Sequence, residues 1–148
     1  MSSVGSVTTG SQYAALPWRW VDDHVEILLI TTLTSKRWVV PKGWPCDGRS
    51  PSESAAQEAF EEAGIVGAMT SRAVGSFDYL KRRKTGETIA CHVAVYALEV
   101  ERQRRVWPEK AMRQTCWCTV EEAMARVSDP GLKRLIAKFA KKQAQLPH

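Results

Sequence analysis

Glu58, Glu61 and Glu62 are the residues of this chain whose type and spacing most clearly invite chemistry. At about 100° per residue on a helix, the three carboxylates fall within one narrow arc. Like charges at these spacings repel by roughly 0.2–0.5 kcal/mol per pair. They also occupy the last helical turn, at the negative end of the dipole, where an exposed carboxylate costs roughly a further 0.3–1 kcal/mol. Lysines here would have stabilised the helix. A hard divalent cation reverses both effects, because Mg²⁺ takes carboxylate oxygens in octahedral geometry. The plain alternative is a solvated acidic face, and the preceding loop bears on the choice.

The glutamates lie in residues 41–67, PKGWPCDGRSPSESAAQEAFEEAGIVG, a Gly/Pro-punctuated loop running into a short predicted helix. Ser50 is a favourable N-cap, Pro51 suits the first helical position, and Glu53 completes a capping box with Ser50. Gly64 supplies a left-handed stop at the far end. Ala55, Ala56, Ala59, Phe60 and Ala63 occupy the opposite arc and form the expected core face, with small residues allowing close approach to a sheet.

This stretch resembles the Nudix box: Gly, five residues, Glu, seven residues, then Arg-Glu-apolar-x-Glu-Glu-x-Gly-apolar. Gly43 matches the first Gly, and Glu58, Ala59, Glu61, Glu62, Gly64 and Ile65 match the later block at the right spacing. Two positions depart, Arg49 standing where the first Glu is expected and Gln57 where the Arg is expected. Residues 37–45 (RWVVPKGWP), residues 77–86 (FDYLKRRKTG) and the later Arg113 and Trp117 are similar to one branch of the family. That branch acts on diphosphoinositol polyphosphates and diadenosine polyphosphates.

The resemblance, over residues 12–140, implies an α/β/α sandwich with a mixed β-sheet flanked by helices. It further implies that Glu58, Glu62 and the backbone carbonyl of Gly43 bind Mg²⁺, with Mn²⁺ an acceptable substitute, and that Glu61 joins a further metal. Glu58 is the candidate for orienting or deprotonating the attacking water, so all three glutamates are catalytic candidates. In the family the box Arg pairs with a box carboxylate. Gln57 offers only a neutral hydrogen bond, roughly half as strong as a charge-assisted one, and Arg49 is expected to restore the cation from the loop side.

Hydrolysing a phosphoanhydride requires neutralised phosphate oxygens, a nucleophilic water and a stabilised leaving phosphate. Cations for the first task are at hand. Lys42 adjoins Gly43, Arg37 precedes it, and Lys81, Arg82, Arg83 and Lys84 form a basic run at an expected hairpin tip. Guanidinium groups grip phosphate bidentately, so the run is a candidate polyphosphate clamp.

The 148 residues suit a single domain burying about two-thirds of its unfolded surface. The expected division is a disordered lead over residues 1–11, one domain over 12–142, and a tail over 143–148. No apolar stretch is long enough to span a bilayer, so no membrane partner is expected. Residues 1–11 have neither the basic nor the apolar region of a secretory signal. The net charge of +5 suits anionic ligands or simply solubility. Cys46, Cys91, Cys116 and Cys118 have no zinc-site spacing and are read as reduced thiols of a cytoplasmic protein.

The elements that must hold the site are also legible. Residues 13–20 mix aromatic and apolar types, with Pro17 arguing for an edge strand or a kink. Residues 25–32 read as a buried strand, 37–40 as a short strand feeding the loop, and 73–80 with 88–100 as a hairpin turning at Thr85 and Gly86. A charged loop over 101–110 precedes a last strand within 112–118. Thr119 and Asp129 then start two helices, the second over 131–142.

The leading expectation is therefore Mg²⁺-dependent hydrolysis of a phosphoanhydride in a highly anionic small molecule, a diadenosine polyphosphate or a diphosphoinositol polyphosphate. A second reading is removal of pyrophosphate from RNA 5′ ends. The basic run would suit RNA, but no exposed aromatics beside it provide a stacking platform, which disfavours nucleic acid as a partner. A third is a catalytically silent nucleotide-binding domain, motivated by Arg49 and Gln57 and opposed by the three retained carboxylates.

Overall fold

Two long apolar runs near the start of the chain become the strands that position everything else. A computed structural model describes residues 8–146. Strands β1 (Thr8–Val21) and β2 (His24–Thr31) are followed by the short β3 (Trp38–Val39) and β4 (Lys42–Gly43), then by helix α1 (Pro51–Ala63). Next come β5 (Ile65–Met69), β6 (Gly75–Arg82), β7 (Thr88–Gln103), a 3₁₀ turn at Lys110–Met112, and β8 (Thr115–Thr119). Helices α2 (Val120–Arg126) and α3 (Pro130–Ala144) close the chain.

Among the described residues the strands form one mixed sheet ordered β3-β2-β1-β7-β5, with β4 on β1, β6 on β7 and β8 on β2. The long β1–β7 pair is parallel, running from Thr8↔Ile89 to Trp18↔Glu99, and the remaining pairs are antiparallel. Helix α1 lays Ala55, Ala59 and Ala63 over Ala15, Leu28, Ile30, Tyr96 and Leu98 on one face. On the other face α3 contributes Leu132, Ile136 and Phe139 to a core containing Leu16, Ile27, Leu29, Val93 and Val95. The α/β/α sandwich is as expected.

Several local expectations are corrected. Residues 8–11 are not part of a disordered lead, because they pair with Ile89 through His92 as the start of β1; residues 1–7 lie outside the described residues. The expected tail likewise begins later, since α3 runs to Ala144; residues 147–148 lie outside the described residues. Pro17 marks neither an edge nor the end of a strand. Strand β1 is central, and Pro17 falls where it changes partner on one side, between its pairing with β4 at Tyr13 and Ala14 and its pairing with β2 from Trp18 onward. A proline's missing N–H costs least at such a handover. Strand β5 was not anticipated, because Ile65–Met69 follows a helix stop with only a short apolar run.

Both expected capping boxes form, Ser50 with Glu53 and Thr119 with Glu122. Helix α1 ends at Gly64, with φ +69° and its N–H donated to the carbonyls of Ala59 and Phe60. A Cβ at this position would stand 2.3 Å from Cε3 of Trp107, which lies across the helix end. Gly64→Ala is therefore expected to cost between about 2 and 4 kcal/mol, from left-handed strain plus overpacking. Denaturant unfolding followed by tryptophan fluorescence checks this. A change below about 0.5 kcal/mol would mean that Trp107 is not docked there.

Candidate active site

The acidic arc of α1 does not face solvent as a unit. The buried residues of the helix are Ser54, Ala55, Ala59, Glu62 and Ala63, whereas Ala56 and Phe60, expected in the core, are only partly buried. The helix is thus rotated so that Glu62 points inward, at 5% exposure. There Glu62 Oε1 accepts the Lys42 backbone N–H at 3.3 Å, and its Oε2 lies 3.7 Å from Arg113 Nη2. Burial pushes the Glu62 carboxyl up to about 9, its hydrogen bond with Glu58 acts in the same direction, and Arg113 pulls back. Glu58 is also raised, chiefly by burial, with the Glu62 hydrogen bond opposing. The two carboxyl groups thus perturb each other, and burial disfavours a charge on both.

Gly43 is pressed against this pair. Strand β4 pairs Gly43 with Tyr13 of β1, and a Cβ on Gly43 would stand 2.4 Å from Cδ of Glu58. Only glycine lets the backbone come so close to that carboxylate. A hard divalent cation takes oxygen donors of this kind and relieves the repulsion between neighbouring carboxylates. The carboxylates of Glu58 and Glu62, with the Gly43 backbone approaching Glu58 closely, offer the oxygen chemistry that the expected metal takes. Glu61 is not brought into the pair. Its Oε2 accepts from Gln57 Nε2 at 2.5 Å, and among the described residues no three His, Cys, Asp or Glu side chains converge. Gln57 thus makes the neutral hydrogen bond foreseen for it.

The expected cation swap through Arg49 does not occur. Arg49 is exposed, and its charge acts on the capping residue Glu53. Arg113 takes the role instead. Its side chain is 11% exposed, and it donates Nε–H to Glu109 Oε1 at 2.8 Å and Nη1–H to the Thr31 carbonyl at 3.0 Å while facing Glu62. Glu109 is in turn anchored to α1 by its N–H, which donates to the Glu61 carbonyl at 2.9 Å. Its charge raises both Glu58 and Glu62. Sequence reasoning missed this support. The available signal was Glu109 and Arg113, opposite charges four residues apart just before the last strand.

Beside the pair lies a cleft of about 450 Å³ whose lining includes Arg37, Lys42, Lys81, Arg82 and Arg113 together with Glu62. Burial pushes the Lys42 ammonium down to about 8; Glu62 resists, while Lys81, Arg113 and Arg37 reinforce the drop. Lys42 Nζ sits 4.9 Å above the Tyr79 ring, and the Tyr79 hydroxyl donates to buried Gln12 at 2.7 Å. A second cavity of about 490 Å³ between β6 and α3 carries charges of both signs, from Asp78, Asp129, Arg134 and Lys138, and excludes the paired carboxylates. The first is the better anion site on charge alone.

The basic run is split by the fold. Lys81 and Arg82 belong to β6 and line the cleft, whereas Arg83 and Lys84 lie past its end at the turn, with Arg83 Nε 3.9 Å from Glu87. The run is therefore not a hairpin-tip clamp as a whole. Lys81→Ala is expected to raise KM for a polyphosphate at least about threefold, and Arg83→Ala by less than about twofold, with added salt shrinking the difference. Equal effects in side-by-side kinetics would contradict the division.

The NUDIX domain model matches residues 14–139. Nudix hydrolase 16, mitochondrial, of Arabidopsis thaliana is 29% identical over 148 residues, covering 89% of this chain and 82% of that protein. Nudix hydrolase 18, mitochondrial, of the same plant is 31% identical over 117 residues, covering 78% and 64%. Diphosphoinositol polyphosphate phosphohydrolase 3-beta of Bos taurus is 31% identical over 102 residues, covering 67% and 58%. The chain thus spans about three-fifths of the length of the latter two relatives. Among solved structures, the C. elegans Ap4A hydrolase binary complex superposes with a TM-score of 0.70 at 20% identity, over 93% of this chain and 99% of that one. At that identity the likeness speaks for the fold. The chain belongs to the Nudix hydrolase family, a family of pyrophosphohydrolases. Among the described residues, no helix is long and apolar enough to cross a membrane.

Proposed function

We propose that this protein hydrolyses a phosphoanhydride bond in a small, highly anionic molecule, a diadenosine polyphosphate or a diphosphoinositol polyphosphate, with Mg²⁺ or Mn²⁺ as cofactor. The observation that carries the reading is the mutually perturbed Glu58–Glu62 carboxyl pair packed against Gly43, beside a cleft with five cations. Names of relatives point to both substrate types, Ap4A and diphosphoinositol polyphosphate.

In this proposal Arg37, Lys42, Lys81 and Arg82 bind the phosphate chain, and the guanidiniums orient it by paired hydrogen bonds. Glu58 and Glu62, with the Gly43 carbonyl, would hold the divalent ion, which supplies charge neutralisation and a more acidic bound water. Glu58, the more exposed of the two, accepts the proton of the attacking water. Gln57 positions Glu61, and Arg113 positions Glu62 from the cleft wall. Glu61 remains a candidate for a further ion only if it leaves Gln57. The four free thiols suit a reducing compartment, the cytoplasm in our reading, although five plant relatives are named as mitochondrial and one as chloroplastic.

The test is turnover of diadenosine polyphosphates, inositol pyrophosphates, nucleotide sugars and triphosphorylated RNA, each with Mg²⁺ and with chelator. Metal-dependent turnover of the first or second class supports the proposal. Turnover confined to RNA would replace it with 5′-end processing, and binding without turnover of any substrate would indicate a silent domain.

A further inference from the structure

Cys116 and Cys118 stand two residues apart on β8, so both side chains point to the same face of the sheet. Their sulfurs are 3.5 Å apart, with the Cys118 thiol donating to Cys116. Arg126, from α2, donates Nη1–H to the same Cys116 sulfur at 3.0 Å. The Cys116 thiol also lies 3.6 Å from the Trp117 carbonyl, and the Cys118 thiol 3.8 Å from that of Cys116. Cys118 is fully buried; Cys116 is partly exposed.

A pair of small apolar side chains in a core needs no function. Two features set this pair apart. A guanidinium aimed at a sulfur is the setting in which cysteines react. A second thiol already stands in contact, and since residues i and i+2 of an extended strand are about 6.7 Å apart at Cα, near the upper limit a disulfide bridges, bonding requires the sulfurs to close by about 1.5 Å and the strand to pucker. Strand β8 also pairs on one side only, with β2, so among the described residues no second partner opposes its puckering. The roles divide by environment. Burial and the Cys116 contact hold the Cys118 thiol up to about 12, which keeps it protonated and leaves the partly exposed Cys116 as the group a reagent meets first.

We propose that Cys116 and Cys118 form a hydroperoxide-reactive dithiol, with Cys116 oxidised first and Cys118 resolving it to an intramolecular disulfide. The Cys116 sulfur attacks one oxygen of the hydroperoxide, the O–O bond breaks, and the alcohol or water departs with the thiol proton, leaving a sulfenic acid. The Cys118 sulfur then attacks the Cys116 sulfur. The S–S bond forms, the S–O bond breaks, and the hydroxyl leaves as water with the Cys118 proton. Two thiols supply the two electrons that reduce the peroxide, and an external dithiol restores the pair.

The experiment treats the full-length protein with an equimolar amount of hydrogen peroxide and follows intact mass and free thiols. The expected result is a loss of about 2 Da, removal of two of the four thiols, and a tryptic peptide 114–126 carrying an internal disulfide that dithiothreitol reverses. In Cys118→Ser, dimedone should trap a sulfenic acid at Cys116. Arg126→Ala should oxidise at least about threefold more slowly, and Arg126→Lys should recover part of that rate. If Cys118→Ser does not fold, the unmutated protein still decides. All four thiols surviving, oxygen added at Cys46 while the 114–126 peptide stays reduced, or a disulfide involving Cys46 or Cys91 would each overturn the proposal.

Discussion

Glu62→Gln is expected to lower kcat by at least about a hundredfold while changing KM for a polyphosphate by less than about threefold. Glu62 is buried beside Lys42 and Arg113 and, as a carboxyl group, does not grip a phosphate chain directly, so its loss should leave the cationic substrate contacts largely intact. What disappears is one of the two carboxylates proposed to hold the ion. The same substitution should leave thermal stability unchanged or raise it. The amide is nearly isosteric with a carboxyl whose charged form burial disfavours, and it carries no charge to desolvate. Dead but stable is the expected combination. A variant with near-normal turnover would remove Glu62 from the site, and one that fails to fold would make its role structural.

Arg113→Ala is expected to destabilise the fold by about 2–4 kcal/mol and to lower kcat by about tenfold or more. The guanidinium is almost fully buried and ties Glu109, the Thr31 carbonyl and Glu62 together, so truncation strands several polar groups at once. Arg113→Lys should restore part of the activity, because one ammonium can face Glu62 but cannot reproduce the fork. Arg49→Ala and Arg49→Glu, by contrast, should change turnover by less than about twofold, since the Arg49 charge acts on the helix cap. Urea unfolding and steady-state kinetics on the four variants separate these outcomes. A large effect at Arg49 with none at Arg113 would reverse the assignment.

The contrast between those two arginines marks where the sequence stopped being readable. Gly43 was identified only through the resemblance to the Nudix box, whereas the arc shared by Glu58 and Glu62 could be read from helical spacing, because a helix is a local structure with fixed geometry. Both capping boxes and the stop at Gly64 were legible for the same reason. The counter-cation for Glu62 was not. It comes from fifty-one residues further along the chain and is delivered by β8 pairing with β2, a non-local event with no signature in the box itself. The inward turn of Glu62 was equally hidden, since three glutamates in an arc look alike until the sheet decides which faces it. Lys81 and Arg82 were separated from Arg83 and Lys84 only by the exact end of β6. Pro17, read as a sign of irregularity, proved to mark a change of strand partner. Local geometry was thus legible in the sequence, and the long-range supports were not.

The central claim is that Glu58, Glu62 and Gly43 hold a divalent ion beside the cationic cleft. Titration of the full-length protein with Mn²⁺, followed by electron paramagnetic resonance of the free ion, tests it most directly. The account predicts saturable binding that weakens at least about tenfold in both Glu58→Gln and Glu62→Gln and in Gly43→Ala, whose added Cβ would strike the Glu58 carboxylate. Binding unchanged in all three variants would contradict it.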